Sequence, residues 1–120
     1  MSNIIRSFKN AIRGLFIAYK EERNLKIHFM ISILVLLFAI FFNISNLELT
    51  LLLLVIMVVI AMEMLNTALE RILDIISPKY NNNVGKIKDV AAGSVLVCAF
   101  IAAIIGILIF TPYVYERLGR

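Results

Sequence analysis

A cluster of acidic side chains follows a long apolar run near the middle of the chain. The run "LTLLLLVIMVVIAM" (Leu49–Met62) leads directly into Glu63, Asn66, Glu70 and Asp74. On a helix that advances about 100° per residue, the three acids fall within roughly 40° of one another, and Asn66 lies about 60° to one side of Glu63. One helix face therefore carries three carboxylates and an amide. For Asp74 alone, a solvated helix end explains the charge equally well.

The position of Glu63 indicates chemistry rather than solvation. A carboxylate inside a membrane helix costs about 2.5–3.5 kcal/mol on insertion scales, and such residues usually mark functional sites. Further charges flank the apolar runs: Glu21 and Glu22 before the first, and Lys88 and Asp89 before the last. Carboxylates from separate helices, without a His or Cys cluster, suit Mg²⁺ rather than zinc, and a lysine beside them suits phosphate.

Three functions fit acids and a lysine at a membrane surface. They are a metal-dependent phosphotransferase, a proton-coupled small transporter and a regulatory membrane subunit. The Gly-rich loops and catalytic motifs of soluble kinases are missing from the sequence. His28, the one histidine, is interpreted as an interfacial residue rather than a metal ligand, and Cys98, the one cysteine, as a packing residue.

The composition places these residues in a membrane protein. The chain has 120 residues, of which 62% are hydrophobic, and a mean hydropathy of +0.95. A soluble domain of this size could not bury so much apolar surface. The formal net charge of +4 comes from residues at the ends of apolar runs rather than from a basic face, so we expect no nucleic-acid partner. The three apolar runs are Ile27–Phe42, Leu49–Met62 and Val90–Phe110.

The pattern predicts an all-α membrane protein with one domain over residues 1–120. An amphipathic helix over residues 2–24 is expected to lie in the membrane interface. Its apolar side would be formed by Ile5, Phe8, Ile12, Leu15, Phe16 and Tyr19. Spanning helices are expected over about residues 25–43, 48–74 and 88–112. A bilayer requires roughly 20 residues, and the second run reaches this length only by including the polar residues that follow Met62.

The distribution of basic residues predicts the orientation in the membrane. The first connector (Asn43–Glu48) has no Lys or Arg, whereas the second (Ser77–Lys88) has three lysines and the N-terminal segment has six basic residues. By the positive-inside rule, the N-terminus, the second connector and the acidic face would be cytoplasmic. The first connector and the C-terminus would lie outside.

Four stretches of the sequence resemble the prokaryotic diacylglycerol kinase family. "EMLNTALERILD" (Glu63–Asp74) is similar to its signature ExxN[ST]AxExxxD, and "KDVAAGSVLV" (Lys88–Val97) to its KDxAAGAVL segment. "SFKNAIRG" (Ser7–Gly14) resembles SFxxAxxG, and "ERNLKIH" (Glu22–His28) resembles the ERNxRIH stretch of the undecaprenol kinase branch.

The resemblance implies an integral membrane lipid kinase of the bacterial cytoplasmic membrane. It would use ATP and Mg²⁺ and work as a homotrimer with active sites at subunit boundaries. The implied acceptor is undecaprenol, with diacylglycerol as the alternative and a proton-coupled transporter as a remoter one. Small residues in the third apolar run would allow close helix packing in a trimer or within one chain. They are Ala91, Ala92, Gly93, Ser94, Ala102, Ala103 and Gly106.

The resemblance also implies roles for individual residues. Glu63 would be the base that receives the proton of the lipid hydroxyl, supported by Asn66. Glu22 and Glu70 would hold Mg²⁺ on the ATP phosphates. Asn24 and His28 are further candidates for contact with the lipid substrate. The nucleotide candidates, besides Glu22 and Glu70, are Lys88, Asp89, Asn10, Lys79, Tyr80 and Asn81. The chain departs from the family pattern at Asn10, Lys79 and Asn81, where an aromatic, an acid and a histidine are common.

Overall fold

The described part of the chain consists of α-helices joined by short connections. A computed structural model describes residues 2–119. These residues form four helices: α1 (Ser2–Glu21), α2 (Arg23–Phe42), α3 (Asn46–Ile76) and α4 (Asn82–Leu118). The predicted all-α class is confirmed, and α4 is longer at both ends than the span expected from the sequence.

The break between α1 and α2 is a single residue, Glu22. Its backbone is extended (φ −109°, ψ 114°), and its side chain makes no capping hydrogen bond to α2. The backbone N–H of Glu22 donates to the Ala18 carbonyl at 2.9 Å, and the N–H of Lys26 donates to the Glu22 carbonyl at 3.3 Å. The Glu22 carboxylate is therefore not used as a helix cap at the break.

The turn between α2 and α3 is defined by local sequence signals. Asn43 adopts the left-handed conformation (φ 50°), which asparagine tolerates better than most residues. Ser45 and Glu48 then form a capping box: the Glu48 N–H donates to Ser45 Oγ at 3.2 Å, and the Ser45 N–H donates to Glu48 Oε1 at 3.0 Å. The Tyr113 hydroxyl of α4 also donates to Glu48 Oε1, so this turn is tied to the last helix.

The helices pack through a small core near this turn. Ala39 of α2, Leu52 of α3 and Ile109 of α4 are buried together. Membrane helices gain stability mainly from close packing, because lipid tails are as apolar as the side chains. The small Ala39 side chain allows α2 to approach the other two helices at this point. The opposite end of the bundle, where α3 meets the α1–α2 break, carries the acidic residues and is called the acidic end below.

Three of the helices are suited to a lipid environment. By length and composition, α2, α3 and α4 could each cross a membrane, and most of their surface points outward. The exposed side chains are large and apolar, such as Met30, Leu37 and Leu108. So much exposed apolar surface would favour aggregation in water. The described chain is therefore a membrane protein.

The contribution of the core can be measured with one buried leucine. Leu52 is 2% exposed, and Leu52→Ala should lower the free energy of unfolding by about 2 kcal/mol, the lower end of the range for buried leucines, because packing contacts are lost. The measurement is the unfolding midpoint in detergent titrated with SDS. The control is Leu53→Ala, since Leu53 is 48% exposed. Equal effects of the two substitutions would contradict the packing described here.

Candidate active site

Glu63 is buried at the acidic end of the bundle. Its side chain lies on α3 and is only 4% exposed. His28 of α2 approaches it, with 3.8 Å between His28 Nε2 and Glu63 Oε2. The Asn24 amide also lies close enough to interact with this carboxylate. The structure thus brings together three of the residues selected from the sequence, from two helices.

Two further carboxylates lie near Glu63 and closer to the polar loops. Glu22, at the α1–α2 break, and Glu70, two turns further along α3, are near enough to interact electrostatically with Glu63. The helical rise from Glu63 to Glu70 is about 10 Å. Glu63 is therefore the deeper acid, and Glu22 and Glu70 form a shallower tier at the acidic end.

Asn66 presents an unusual polar atom within this site. Asn66 is 9% exposed, and its Oδ1 is buried without a hydrogen-bond partner in the part of the chain that the structure describes. The neighbouring Thr67 is buried as well. Buried polar groups are nearly always hydrogen-bonded, and an exception calls for an explanation such as a bound ligand. Asn66 is thus better suited to binding than to holding the fold together.

Two cations of the site are engaged in ion pairs. Arg71 Nη1 lies 3.3 Å from Glu21 Oε2, and Arg71 Nη2 lies 3.2 Å from Glu22 Oε1. Lys88 Nζ on α4 donates to Asp74 Oδ1 on α3 at 2.6 Å. Arg71 is not among the site residues predicted from the sequence. No local signal could reveal its partners, since they are 50 and 49 residues away along the chain.

The remaining nucleotide candidates lie on exposed surfaces. Asn10 is exposed on α1, and Asp89 is exposed on α4 next to Lys88. Lys79 and Tyr80 lie in the loop between α3 and α4. The Tyr80 hydroxyl donates to Asn82 Oδ1 at 3.3 Å. Asn81 begins α4 as its cap, because Asn81 Oδ1 accepts the Asn83 N–H at 2.8 Å. The contacts of Tyr80 and Asn81 are therefore local.

The carboxylates suit a metal that is shared with a ligand. Within residues 2–119, no group of three or more His, Cys, Asp or Glu side chains is arranged to hold a metal ion by itself. Magnesium is usually bound by one or two carboxylates together with waters and substrate phosphates. Glu22 and Glu70 supply hard oxygen donors of that kind and number. The donor set therefore fits a magnesium–phosphate complex, not an all-protein cage.

An apolar cavity lies on the membrane side of Glu63. It has a volume of about 440 Å³, within the roughly 300–1,000 Å³ that is typical of ligand sites. His28 lines it and also approaches Glu63. The Ser32 hydroxyl in the cavity wall donates a hydrogen bond to the His28 carbonyl at 2.7 Å. The other lining residues are Ile31, Val35, Leu52, Val55, Ile56, Val59, Ala99, Ala102, Ala103, Gly106 and Ile107.

Comparison with known proteins defines the class of this chain. Residues 9–110 match the prokaryotic diacylglycerol kinase family, and the chain belongs to that family. It is a membrane-bound lipid kinase, and kinase chemistry implies ATP as the phosphate donor. The resemblance of the motifs is confirmed, and the transporter and regulatory-subunit alternatives lose their support.

Individual relatives carry two different acceptor names. The chain is 36% identical over 112 residues to the undecaprenol kinase of Bacillus subtilis, an alignment that covers 93% of this chain and 91% of the relative. It is 33% identical over 111 residues to a diacylglycerol kinase of Synechocystis, covering 92% of this chain and 63% of the relative. It is 28% identical over 112 residues to the diacylglycerol kinase of Haemophilus influenzae, covering 92% of this chain and 95% of the relative.

A near-isosteric substitution tests whether Asn66 stabilises the fold. We expect Asn66→Leu to leave the free energy of unfolding unchanged or to raise it by about 1 kcal/mol, since an unpartnered buried acceptor is removed without loss of volume. The readout is the unfolding midpoint in detergent. A clear decrease in stability would show that Asn66 is a structural residue, with partners that the chain itself provides.

Proposed function

We propose that the chain transfers the γ-phosphoryl group of ATP to the hydroxyl of undecaprenol at the cytoplasmic face of the bacterial inner membrane. The observation that carries this proposal is the buried position of Glu63, 4% exposed, next to an apolar cavity. The shallower carboxylates Glu22 and Glu70 lie on its polar side. A lipid hydroxyl would approach Glu63 from the membrane, and a triphosphate from the water.

Glu63 is proposed as the general base of the transfer. Its carboxylate takes the proton of the lipid hydroxyl while that oxygen forms a bond to the γ-phosphorus, and the bond from this phosphorus to the bridging oxygen of ADP breaks. Such a positioned base contributes about 10²–10⁴-fold to the rate. His28, at 3.8 Å, and Asn24 would orient the carboxylate and the hydroxyl. Asn66, with its unpartnered Oδ1, would hold a ligand donor in the same site.

Glu22 and Glu70 are proposed to hold Mg²⁺ together with the ATP phosphates. The bound ion would supply charge neutralisation, the main requirement of phosphoryl transfer. Glu22 lies at the α1–α2 break and Glu70 on α3, so the two carboxylates can hold a phosphate complex from two sides. Glu63, about 10 Å of helical rise below Glu70, is then left for the proton.

The nucleotide is proposed to lie along the start of α4. Lys88 would exchange its partner Asp74 for a phosphate oxygen, and Asp89 on the same exposed turn would contact the rest of the nucleotide. The additional contacts would come from Asn10, Lys79, Tyr80 and Asn81. Of these, Lys79 and Tyr80 belong to the loop that precedes α4, and Tyr80 is strongly exposed.

The apolar cavity is proposed to take the hydrocarbon chain next to the reacting hydroxyl. Its walls are almost wholly aliphatic, which suits an isoprenoid or an acyl chain. Undecaprenol is preferred because the undecaprenol kinase relative aligns over nearly the full length of both chains. Diacylglycerol is the second candidate, since two relatives carry that name.

The arrangement in the membrane is part of the same proposal. The whole chain would form one domain, with α1 lying in the interface. Its large apolar side chains, including Phe8 and Phe16, are exposed in the isolated chain. The acidic end and the N-terminus would face the cytoplasm and the C-terminus the outside. A homotrimer is supported by a small side chain exposed on α4 outside the cavity, Ala92.

The decisive experiment measures transfer of radiolabelled γ-phosphate in lipid vesicles that contain either undecaprenol or diacylglycerol. We expect turnover with both and a higher kcat/KM with undecaprenol. Glu63→Gln should lower kcat by about 10²–10⁴-fold, because the amide cannot accept the proton, while nucleotide binding persists.

The control is Glu48→Gln, the same chemical change at the far end of α3, which should retain activity. Transfer to neither lipid would contradict the proposal as a whole. A preference for diacylglycerol would replace the acceptor, and full activity of Glu63→Gln would remove Glu63 from the role of base.

The ion pair between Lys88 and Asp74 allows the nucleotide role of Lys88 to be separated from its pairing role. Lys88→Met should raise the KM for ATP roughly tenfold, since one charged contact to phosphate is lost. Asp74→Asn also breaks the ion pair but keeps the lysine, and the KM for ATP should stay within about twofold of the unchanged protein. Steady-state kinetics at saturating lipid measure both. Equal effects of the two substitutions would mean that Lys88 acts through Asp74.

A further inference from the structure

Arg71 connects the α1–α2 break to α3. The two terminal nitrogens of its guanidinium contact two successive residues, Glu21 and Glu22, at 3.3 and 3.2 Å. The residues of α1 are otherwise exposed or half-exposed.

A ring contact between Tyr19 and Phe29, 5.6 Å between centroids, and the Lys26 ammonium, 6.0 Å from the centre of the Tyr19 ring, also link α1 to α2 close to the break. Leu25 of α2, 0% exposed, also packs close to the break, so the particular contribution of Arg71 is to tie the end of α1 to α3.

The contact engages Glu22 through one oxygen. Arg71 Nη2 approaches Oε1 of Glu22, and Oε2 takes no part in this contact. The carboxylate is not used for capping either, and the Glu22 backbone is extended rather than helical. Local structure thus leaves the direction of this side chain open, and Arg71 determines it while one oxygen remains for a ligand.

Arg71 also follows Glu70 directly in the sequence. The guanidinium that contacts Glu22 and the Glu70 carboxylate therefore start from adjacent positions on the same turn of α3. A planar fork with fixed donor directions suits the contact with Glu22 better than the flexible ammonium of lysine. Exposed ion pairs add little to stability, so a contribution to global stability does not explain this arrangement.

We propose that Arg71 is a positioning residue that fixes Glu22 at a constant distance from Glu70, so that the two carboxylates can receive one magnesium–nucleotide complex. The proposal rests on the proposed function for the role of these carboxylates. It adds a residue that touches neither substrate nor metal. In the opposite case Arg71 would compete with the metal ion: its guanidinium would have to leave Glu22 before a cation could bind there.

The first measurement needs neither metal nor nucleotide. Spin labels at Ser7→Cys on α1 and Ile76→Cys on α3, in a Cys98→Ser background diluted with unlabelled protein, report the distance distribution between the two helices. Arg71→Gln should broaden this distribution. Arg71→Lys should give a distribution of intermediate width, because the positive charge remains while the planar guanidinium with its two donor nitrogens is lost. Arg13→Gln removes a comparable charge from an exposed position and should change nothing.

The second measurement is binding of Mn²⁺ together with a non-hydrolysable ATP analogue, detected by the spin resonance signal of free Mn²⁺. Loss of a residue that orients a metal ligand typically lowers metal affinity by about 10–100-fold, and we expect this range for Arg71→Gln. The KM for lipid in the phosphate-transfer assay should stay unchanged. Glu21→Gln removes one of the two ion pairs of Arg71 and should lower the Mn²⁺ affinity by a smaller factor.

Three results would overturn the proposal: an unchanged distance distribution, unchanged Mn²⁺ binding in Arg71→Gln, or tighter Mn²⁺ binding, which would identify Arg71 as a competitor. These results are separable from failure of the proposed function. If the unchanged protein transfers no phosphate to lipid but Arg71→Gln broadens the distances and weakens Mn²⁺ binding, the positioning role stands and the lipid acceptor is wrong.

Discussion

The burial of one carboxylate in a membrane helix is the constraint on which the site depends. Placing an acid in a membrane span costs about 2.5–3.5 kcal/mol of insertion free energy. An apolar residue at the position of Glu63 would avoid this cost. Glu63 lies where His28 and Asn24 of α2 can approach it. The chain breaks at Glu22, which places a second carboxylate near Glu63 at the same end of the bundle. Residues of α2, of α3 and of the α1–α2 break therefore surround one buried carboxylate.

The two ends of α3 show that the same side-chain chemistry serves different purposes. Glu48 at one end completes a capping box and accepts the Tyr113 hydroxyl, so its oxygens are used by the protein. Glu63 and Asn66 at the other end are buried with few partners. The first arrangement fixes the helices in place. The second leaves hydrogen-bonding capacity in an apolar setting, where a ligand gains most from it.

Much of this could be predicted from the sequence, because the relevant signals are local. Apolar runs of 14 to 21 residues, extended by their flanking turns, predict the spanning helices. The seven-residue spacing of Glu63 and Glu70 places both on one face of a helix. Motif resemblance identified the family. The contacts of Arg71 with Glu21 and Glu22, and of Lys88 with Asp74, could not be predicted. They join distant segments, and the pattern of each segment is the same whether or not the contact forms. The unpartnered oxygen of Asn66 is likewise a property of the packed bundle.

The central claim is that a deep acid receives a lipid hydroxyl while a shallower pair grips the nucleotide. The most direct measurement is an experimental structure with Mg²⁺ and a non-hydrolysable ATP analogue bound in a lipid environment. The account predicts that the metal lies against the carboxylates of Glu22 and Glu70, with the terminal phosphate facing Glu63. A triphosphate bound away from these acids, or a Glu63 side chain directed away from it, would contradict the account.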